Sequence, residues 1–253
     1  KEILGGGLGG YDLRAMAICY DTPMDRTTRI KLFTLLGLVV LVIGAQIIGM
    51  IRAQYTVVNF PPHGKNVVAF GDSLTEGVGA SSPEHGYVGA LSARLGTPII
   101  NKGVSGDTTE MALARIDEVT ALSPDIVLLF LGGNDILRKL PEAETLAHLR
   151  TIIDTLQGKG ATVILIGFKG ILGDAYHDAY SDLARETGCL FVPDALDGVL
   201  GEAAFMADEV HPNDAGYLRV ADRIAPVLEG VLAAVDARSA QGVETSRTLP
   251  SSE

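Results

Sequence analysis

Val67-Val68-Ala69-Phe70-Gly71-Asp72-Ser73-Leu74-Thr75-Glu76-Gly77 is the stretch on which the reading of the whole chain turns. Four apolar residues run straight into a glycine, an acid and a serine, the pattern of a buried strand that ends in a tight turn. A serine placed there sits at the C-terminal edge of a sheet, where open α/β folds hold their ligands. The same residues could instead form an Asp-Ser turn that only caps the next helix.

Downstream the pattern keeps alternating. Val67–Phe70 reads as the first strand and Tyr87–Leu95 as a helix stopped by Gly96. Ile99–Asn101 follows as a short strand and Thr108–Leu122 as a helix. Ile126–Leu131 is continuously apolar, as strands buried on both faces are. Glu142–Gln157 reads as a helix, Thr162–Gly167 as a strand, Ala175–Thr187 as a helix, Leu190–Val192 as a strand and Asn213–Val235 as a closing helix. Strands alternating with helices predict a parallel sheet covered on both sides.

Upstream the character changes. Met24 is followed by Arg26, Arg29 and Lys31, then by the uncharged run Leu32–Ile51. At about 1.5 Å per residue that run reaches across a hydrocarbon core of about 30 Å. A cleaved secretory signal has a shorter apolar core and small residues before the cut, and Ile43 is not small. An uncleaved signal anchor is therefore the preferred reading. The basic residues precede the run, which keeps the N-terminus in the cytoplasm and places the rest outside it. The expected organisation is an extension and basic segment over 1–31, a transmembrane anchor over 32–51, a linker over 52–65, the folded domain over 66–236 and a disordered tail over 237–253.

Composition excludes several partners. The net charge of −11 argues against nucleic acid. Trp is absent and aromatics are few, which argues against sugar stacking. The two cysteines, Cys19 and Cys189, lie on opposite sides of the apolar run, so no disulfide is expected, and neither has metal-ligand spacing.

Chemistry-bearing residues gather at strand ends. Ser73 follows the first strand, and Gly103 the second in Asn101-Lys102-Gly103-Val104-Ser105-Gly106-Asp107. Asn134 follows the third in Gly132-Gly133-Asn134-Asp135. Asp208 and His211 follow the last in Asp208-Glu209-Val210-His211-Pro212-Asn213. Each has a plainer reading: the glycines as turns, Asn134 and Asp135 as helix caps, Asp208 as a surface acid. A parallel sheet brings all these ends to one edge. Together they supply a nucleophile (Ser73), a base (His211), an acid to orient it (Asp208) and oxyanion donors: the Ser73 and Gly103 N–H groups and the Asn134 amide. The short step from Asp208 to His211 lets the carboxylate fold back onto Nδ1 and leaves Nε2 for the serine. The other histidines, His63, His85, His148 and His177, stand outside these blocks.

These blocks resemble the SGNH hydrolases, the GDSL-type esterases and lipases. Ser73 lies in Gly-Asp-Ser-Leu, Gly103 in the second block, Asn134 in Gly-Gly-Asn-Asp and His211 in Asp-x-x-His-Pro. Asn101–Thr109 and Leu131–Asp135 are similar to the bacterial periplasmic thioesterase/lysophospholipase subgroup often labelled arylesterases. The resemblance implies a flavodoxin-like three-layer α/β/α sandwich and hydrolysis of acyl esters or lysophospholipids without metal or cofactor. Those relatives usually carry a cleavable signal, whereas this chain reads as anchored. A common α/β-hydrolase is excluded, since Thr75 stands where Gly-x-Ser-x-Gly needs its second glycine. Two rivals remain: a deacetylase of cell-wall or surface glycans, and a flavodoxin-like ligand-binding module that would leave Asn134 and the Asp208–His211 pair idle. For the acyl groove the expectation is the glycine-rich segment after the fourth strand, with Phe168, Ile171, Leu172 and Tyr176 as its wall.

Overall fold

A computed structural model describes residues 56–168 and 175–247, without the side chains of 175–177 and 242–247. Five strands form one parallel sheet: β1 (Val67–Gly71), β2 (Ile99–Gly103), β3 (Ile126–Phe130), β4 (Thr162–Ile166) and β5 (Leu190–Val192), in the order β2-β1-β3-β4-β5. Every residue of β1, β3 and β4 is buried. Their unbroken apolar runs therefore reflect helices on both faces.

The helices are α1 (Ser73–Glu76), α2 (Tyr87–Leu95), α3 (Thr109–Ala114), α4 (Asp117–Thr120), α5 (Gly133–Leu137), α6 (Glu142–Gly158), α7 (Ala175–Thr187) and α8 (Asp214–Arg247). Helix α2 packs with α8, while α6 packs with α3 and α7. The result is a three-layer sandwich around a central parallel sheet. Between β1 and β3 the strand order reverses direction, and in open sheets a ligand crevice forms at such a point. Gly71 pairs with Gly103 on one side and Phe130 on the other, so the segments after all three strands start level.

Several elements differ from expectation. The single helix predicted over Thr108–Leu122 is two, broken at Arg115, whose N–H bonds back to the Ala112 and Leu113 carbonyls. The closing helix runs past 236 to Arg247, taking in part of the expected tail. The described part of the 52–65 linker docks on the domain. Val58 N–H donates to Gly188 O at 2.9 Å, and Asn59 Nδ2 donates to Gln157 O and Ala161 O at 2.8 and 3.0 Å. These contacts lie at the N-terminal ends of the strands, opposite the edge that carries Ser73. The apolar run 32–51 and Cys19 lie outside the described residues. Among the described residues no helix is long and apolar enough to cross a membrane. Cys189 is buried and unpaired, its thiol pushed up to about 12 by burial.

Candidate active site

The turn after β1 is built by its own side chains. Asp72 caps α1, with Oδ1 accepting from Leu74 N–H at 3.0 Å. Ser73 follows as the first helical residue, so its N–H has no intrahelical acceptor. Buried Thr75 shares a 2.9 Å hydrogen bond with the hydroxyl of Tyr87, fixing this short helix to α2.

The loop before α8 brings the other partners. Met206 and Pro212 form an antiparallel bridge, and Ala207 N–H donates to His211 O at 2.9 Å. Inside this closed loop Asp208 Oδ1 accepts from the N–H groups of Val210 and His211, both at 2.8 Å. Its Oδ2 lies 2.8 Å from His211 Nδ1. His211 Nε2 in turn lies 3.1 Å from Ser73 Oγ. The bond to His211, with the two backbone bonds, holds the Asp208 carboxyl down at about 2. Asn213 caps α8, its Oδ1 accepting from Gly216 N–H at 3.1 Å. Asp208, His211 and Ser73 thus form a continuous chain from carboxylate to hydroxyl.

The oxyanion side differs from expectation in one place. Gly103 N–H is taken by Asn101 Oδ1 at 2.8 Å. A Cβ on Gly103 would stand 2.1 Å from Glu76 N, so this glycine is there to let α1 pack on β2. Three residues on, Gly106 adopts a left-handed turn, and its N–H has no partner among the described residues. That turn is pinned on several sides. Ser105 N–H donates to Glu76 Oε2 at 2.6 Å, and Arg138 Nη2 donates to Gly106 O at 2.8 Å. Asn134 Nδ2 donates to the next carbonyl, Asp107 O, at 2.9 Å, and lies 3.4 Å from Asp72 Oδ2. One amide hydrogen of Asn134 is therefore committed, while the other is only loosely held. Asp135 is no exposed cap. It is buried and accepts from Thr109 N–H and Oγ1 at 2.9 and 2.5 Å, which seats α5 on α3.

An apolar pocket opens beside these groups, enclosing about 530 Å³ with its mouth. Leu74, Leu137, Phe168, Leu196, Leu200 and Val210 line it, with Gly133 and Glu209. Leu74 adjoins Ser73, Gly133 adjoins Asn134 and Val210 adjoins His211, so the lining includes the chain neighbours of these candidate residues. Of the expected groove wall, Phe168 is present. Ile171 and Leu172 lie outside the described residues, and Tyr176 is placed in α7 without its side chain described. Nothing in the sequence marks Leu74, Leu137, Leu196 and Leu200 as a set, because each is an ordinary apolar residue of its own element.

A second serine, histidine and acid meet at Ser81, His85 and Asp214. There Ser81 Oγ donates to Asp214 Oδ2 at 2.6 Å, so its proton is directed at the carboxylate rather than at His85, and all three are exposed. This cluster ties a loop to α8. Among the described residues no group of acids, histidines and cysteines has the arrangement to hold a metal ion.

The family model for GDSL-like lipases and acylhydrolases matches residues 69–219, the whole of this constellation. The chain belongs to the GDSL-like Lipase/Acylhydrolase family. Its relatives include Esterase TesA of Pseudomonas aeruginosa, 30% identical over 181 residues that cover 66% of this chain and 90% of that protein. Thioesterase 1/protease 1/lysophospholipase L1 of Escherichia coli is 30% identical over 141 residues, 53% of this chain and 68% of that one. The crystal structure of TesA superposes with a TM-score of 0.63 at 29% identity, covering 66% of this chain and 99% of its own. As a GDSL hydrolase the protein is an ester-hydrolysing enzyme, which sets aside the ligand-binding module.

Proposed function

We propose that this GDSL hydrolase is a serine esterase of arylesterase and lysophospholipase type, cleaving acyl esters and thioesters with Ser73, His211 and Asp208. The observation that carries the reading is the pair of contacts on one imidazole: Asp208 Oδ2 at 2.8 Å from Nδ1, and Ser73 Oγ at 3.1 Å from Nε2. As Ser73 Oγ attacks the acyl carbon, Nε2 takes its proton, and the imidazolium is stabilised by Asp208. The carbonyl oxygen becomes an oxyanion, met by Ser73 N–H, the loosely held hydrogen of Asn134 and Gly106 N–H. Gly106 replaces Gly103 because the latter's N–H is already bonded. Collapse expels the alcohol or thiol, protonated by His211, and water then releases the acyl group from Ser73 by the same path. The acyl chain lies along Leu74, Leu137 and Val210. The catalytic domain works outside the cytoplasm, held by the 32–51 segment or freed by its cleavage.

The test is hydrolysis of nitrophenyl esters by the full chain, with a fluorophosphonate as probe. Ser73→Ala should abolish turnover and labelling and leave the melting temperature close to that of the parent. Labelling that persists at the parent rate in Ser73→Ala rejects the assignment.

A further inference from the structure

We propose that Arg115 is a positioning residue for the oxyanion donors, holding the segments of Ser73 and Gly106 with one guanidinium and reaching Asn134 through Asp107. It rests on the oxyanion reading above, and concerns a residue that touches none of the reacting groups.

Arg115 stands at the break between α3 and α4, and its side chain reaches the C-terminal ends of β1 and β2. Nε donates to Asp107 Oδ2 at 2.6 Å. Nη2 donates to two carbonyls, Gly71 O at 3.0 Å and Lys102 O at 3.1 Å. The side chains of both Arg115 and Asp107 are largely withdrawn from water, at 13% and 6% exposed. The guanidinium also lies 4.7 Å from the centre of the Phe70 ring.

Each contact lands within four residues of an oxyanion donor. Gly71 O is two residues before Ser73, at the end of β1. Asp107 directly follows Gly106, and its own carbonyl accepts from Asn134 Nδ2. Lys102 O fixes the end of β2, from which the Gly106 turn departs. A pull on Arg115 is therefore transmitted to Ser73, to Gly106 and to Asn134 at once. A planar fork with fixed donor directions suits this task, whereas a lysine ammonium presents one point charge.

Stability alone explains the arrangement poorly. Nη1 is buried with no hydrogen-bond partner among the described residues. An unsatisfied buried donor and a desolvated ion pair both cost stability, and packed apolar residues would avoid that cost. Geometry at the catalytic edge is what the fork supplies in return.

The test is a double-mutant cycle on the full chain with Arg115→Lys and Asn134→Ala, read as kcat and KM on a nitrophenyl ester. Arg115→Lys should lower kcat by roughly 10- to 100-fold with KM nearly unchanged, because a small misplacement of donors is felt in the transition state. On the Asn134→Ala background the same change should cost several-fold less than on the parent, since one of the donors that Arg115 positions is then missing. An equal fold-loss in both backgrounds, or a loss confined to KM, overturns the proposal and leaves the oxyanion reading standing. An Asn134→Ala variant with unchanged kcat overturns both. Should Arg115→Lys not fold, Asp107→Asn carries the same cycle: it keeps the carbonyl that Asn134 uses and removes the charge that orients the fork.

Discussion

Asp208 holds His211 twice, through the backbone and through the ring. Oδ1 accepts the His211 N–H at 2.8 Å, and Oδ2 lies 2.8 Å from Nδ1 of the same residue. The ring bond fixes the tautomer that leaves Nε2 free to accept a proton. His211→Ala should therefore be nearly as damaging as Ser73→Ala. Asp208→Asn should cost less, because an amide can still accept the backbone bonds. Steady-state kcat of both variants checks this, and His177→Ala proving worse than His211→Ala would mean that the base is misassigned. The carboxyl of Asp208 is depressed to about 2, so its contribution is present at neutral pH and is lost only as pH falls from about 4 towards 2.

Asn134 presents one committed amide hydrogen to Asp107 O and one loose hydrogen. Only the loose one is available to a developing charge. Asn134→Ala should lower kcat by a factor on the order of 10² to 10³ and leave KM close to the parent value. A change seen in KM alone would assign Asn134 to ground-state binding instead.

Much of this architecture was legible in the chain, for physical reasons. The runs Val67–Phe70 and Ile126–Leu131 are apolar because both faces of their sheet are covered. Ser73, Asn134 and His211 could be placed because each follows a strand end or precedes a helix with a turn signal of its own. Gly103 and Gly106 stand three apart in one loop, and only the fold shows that the Gly103 N–H is taken by Asn101. The break at Arg115 is invisible to periodicity, since the apolar spacing runs on through it while the Arg115 N–H bonds back to the Ala112 and Leu113 carbonyls. The apolar pocket is assembled from several segments far apart in the chain, which no single stretch of sequence announces.

Asp72 is buried and its carboxyl is raised to about 7, mainly by desolvation. The folded state therefore binds this proton more tightly than the unfolded chain does. Stability must fall as pH rises from the ordinary value near 3.8 to about 7, and stay lowered above it. The full effect is on the order of 4 kcal/mol. Asp72→Asn keeps an acceptor for Leu74 N–H and removes the titration. Urea unfolding across this range should show the parent losing stability relative to the variant as pH rises. Parallel curves would show that Asp72 ionises in the folded protein as easily as in the unfolded chain.

The segment 56–65 is docked on the domain: Arg238 Nη1 donates to Pro61 O at 2.7 Å, and Lys65 pairs with Asp236 at 2.6 Å. A chain beginning at Tyr55 should be soluble and as active as the full chain. The full chain should sediment with membranes through Leu32–Ile51. Mature protein recovered in the soluble fraction, with its N-terminus near Gln46, would replace the anchor with a cleaved signal.

Acyl length provides the test of substrate class. The pocket beside Ser73 is lined almost wholly by apolar side chains, and Leu137 at its mouth is 52% exposed. Each methylene buried there contributes up to about 0.8 kcal/mol. Realised in the transition state, that is roughly a fourfold rise in kcat/KM per methylene. The profile on nitrophenyl esters should climb from acetyl to about hexanoyl or octanoyl and then level as the pocket fills. Leu137→Asp places a charge at the mouth of the pocket, where surface exposure keeps the folding cost small. It should flatten the climb and leave acetyl-ester cleavage nearly intact, since the acetyl group does not extend that far. A parent profile that is highest at acetyl and falls with each added carbon would contradict an acyl pocket. It would favour the glycan deacetylase, whose substrate carries nothing longer to bury.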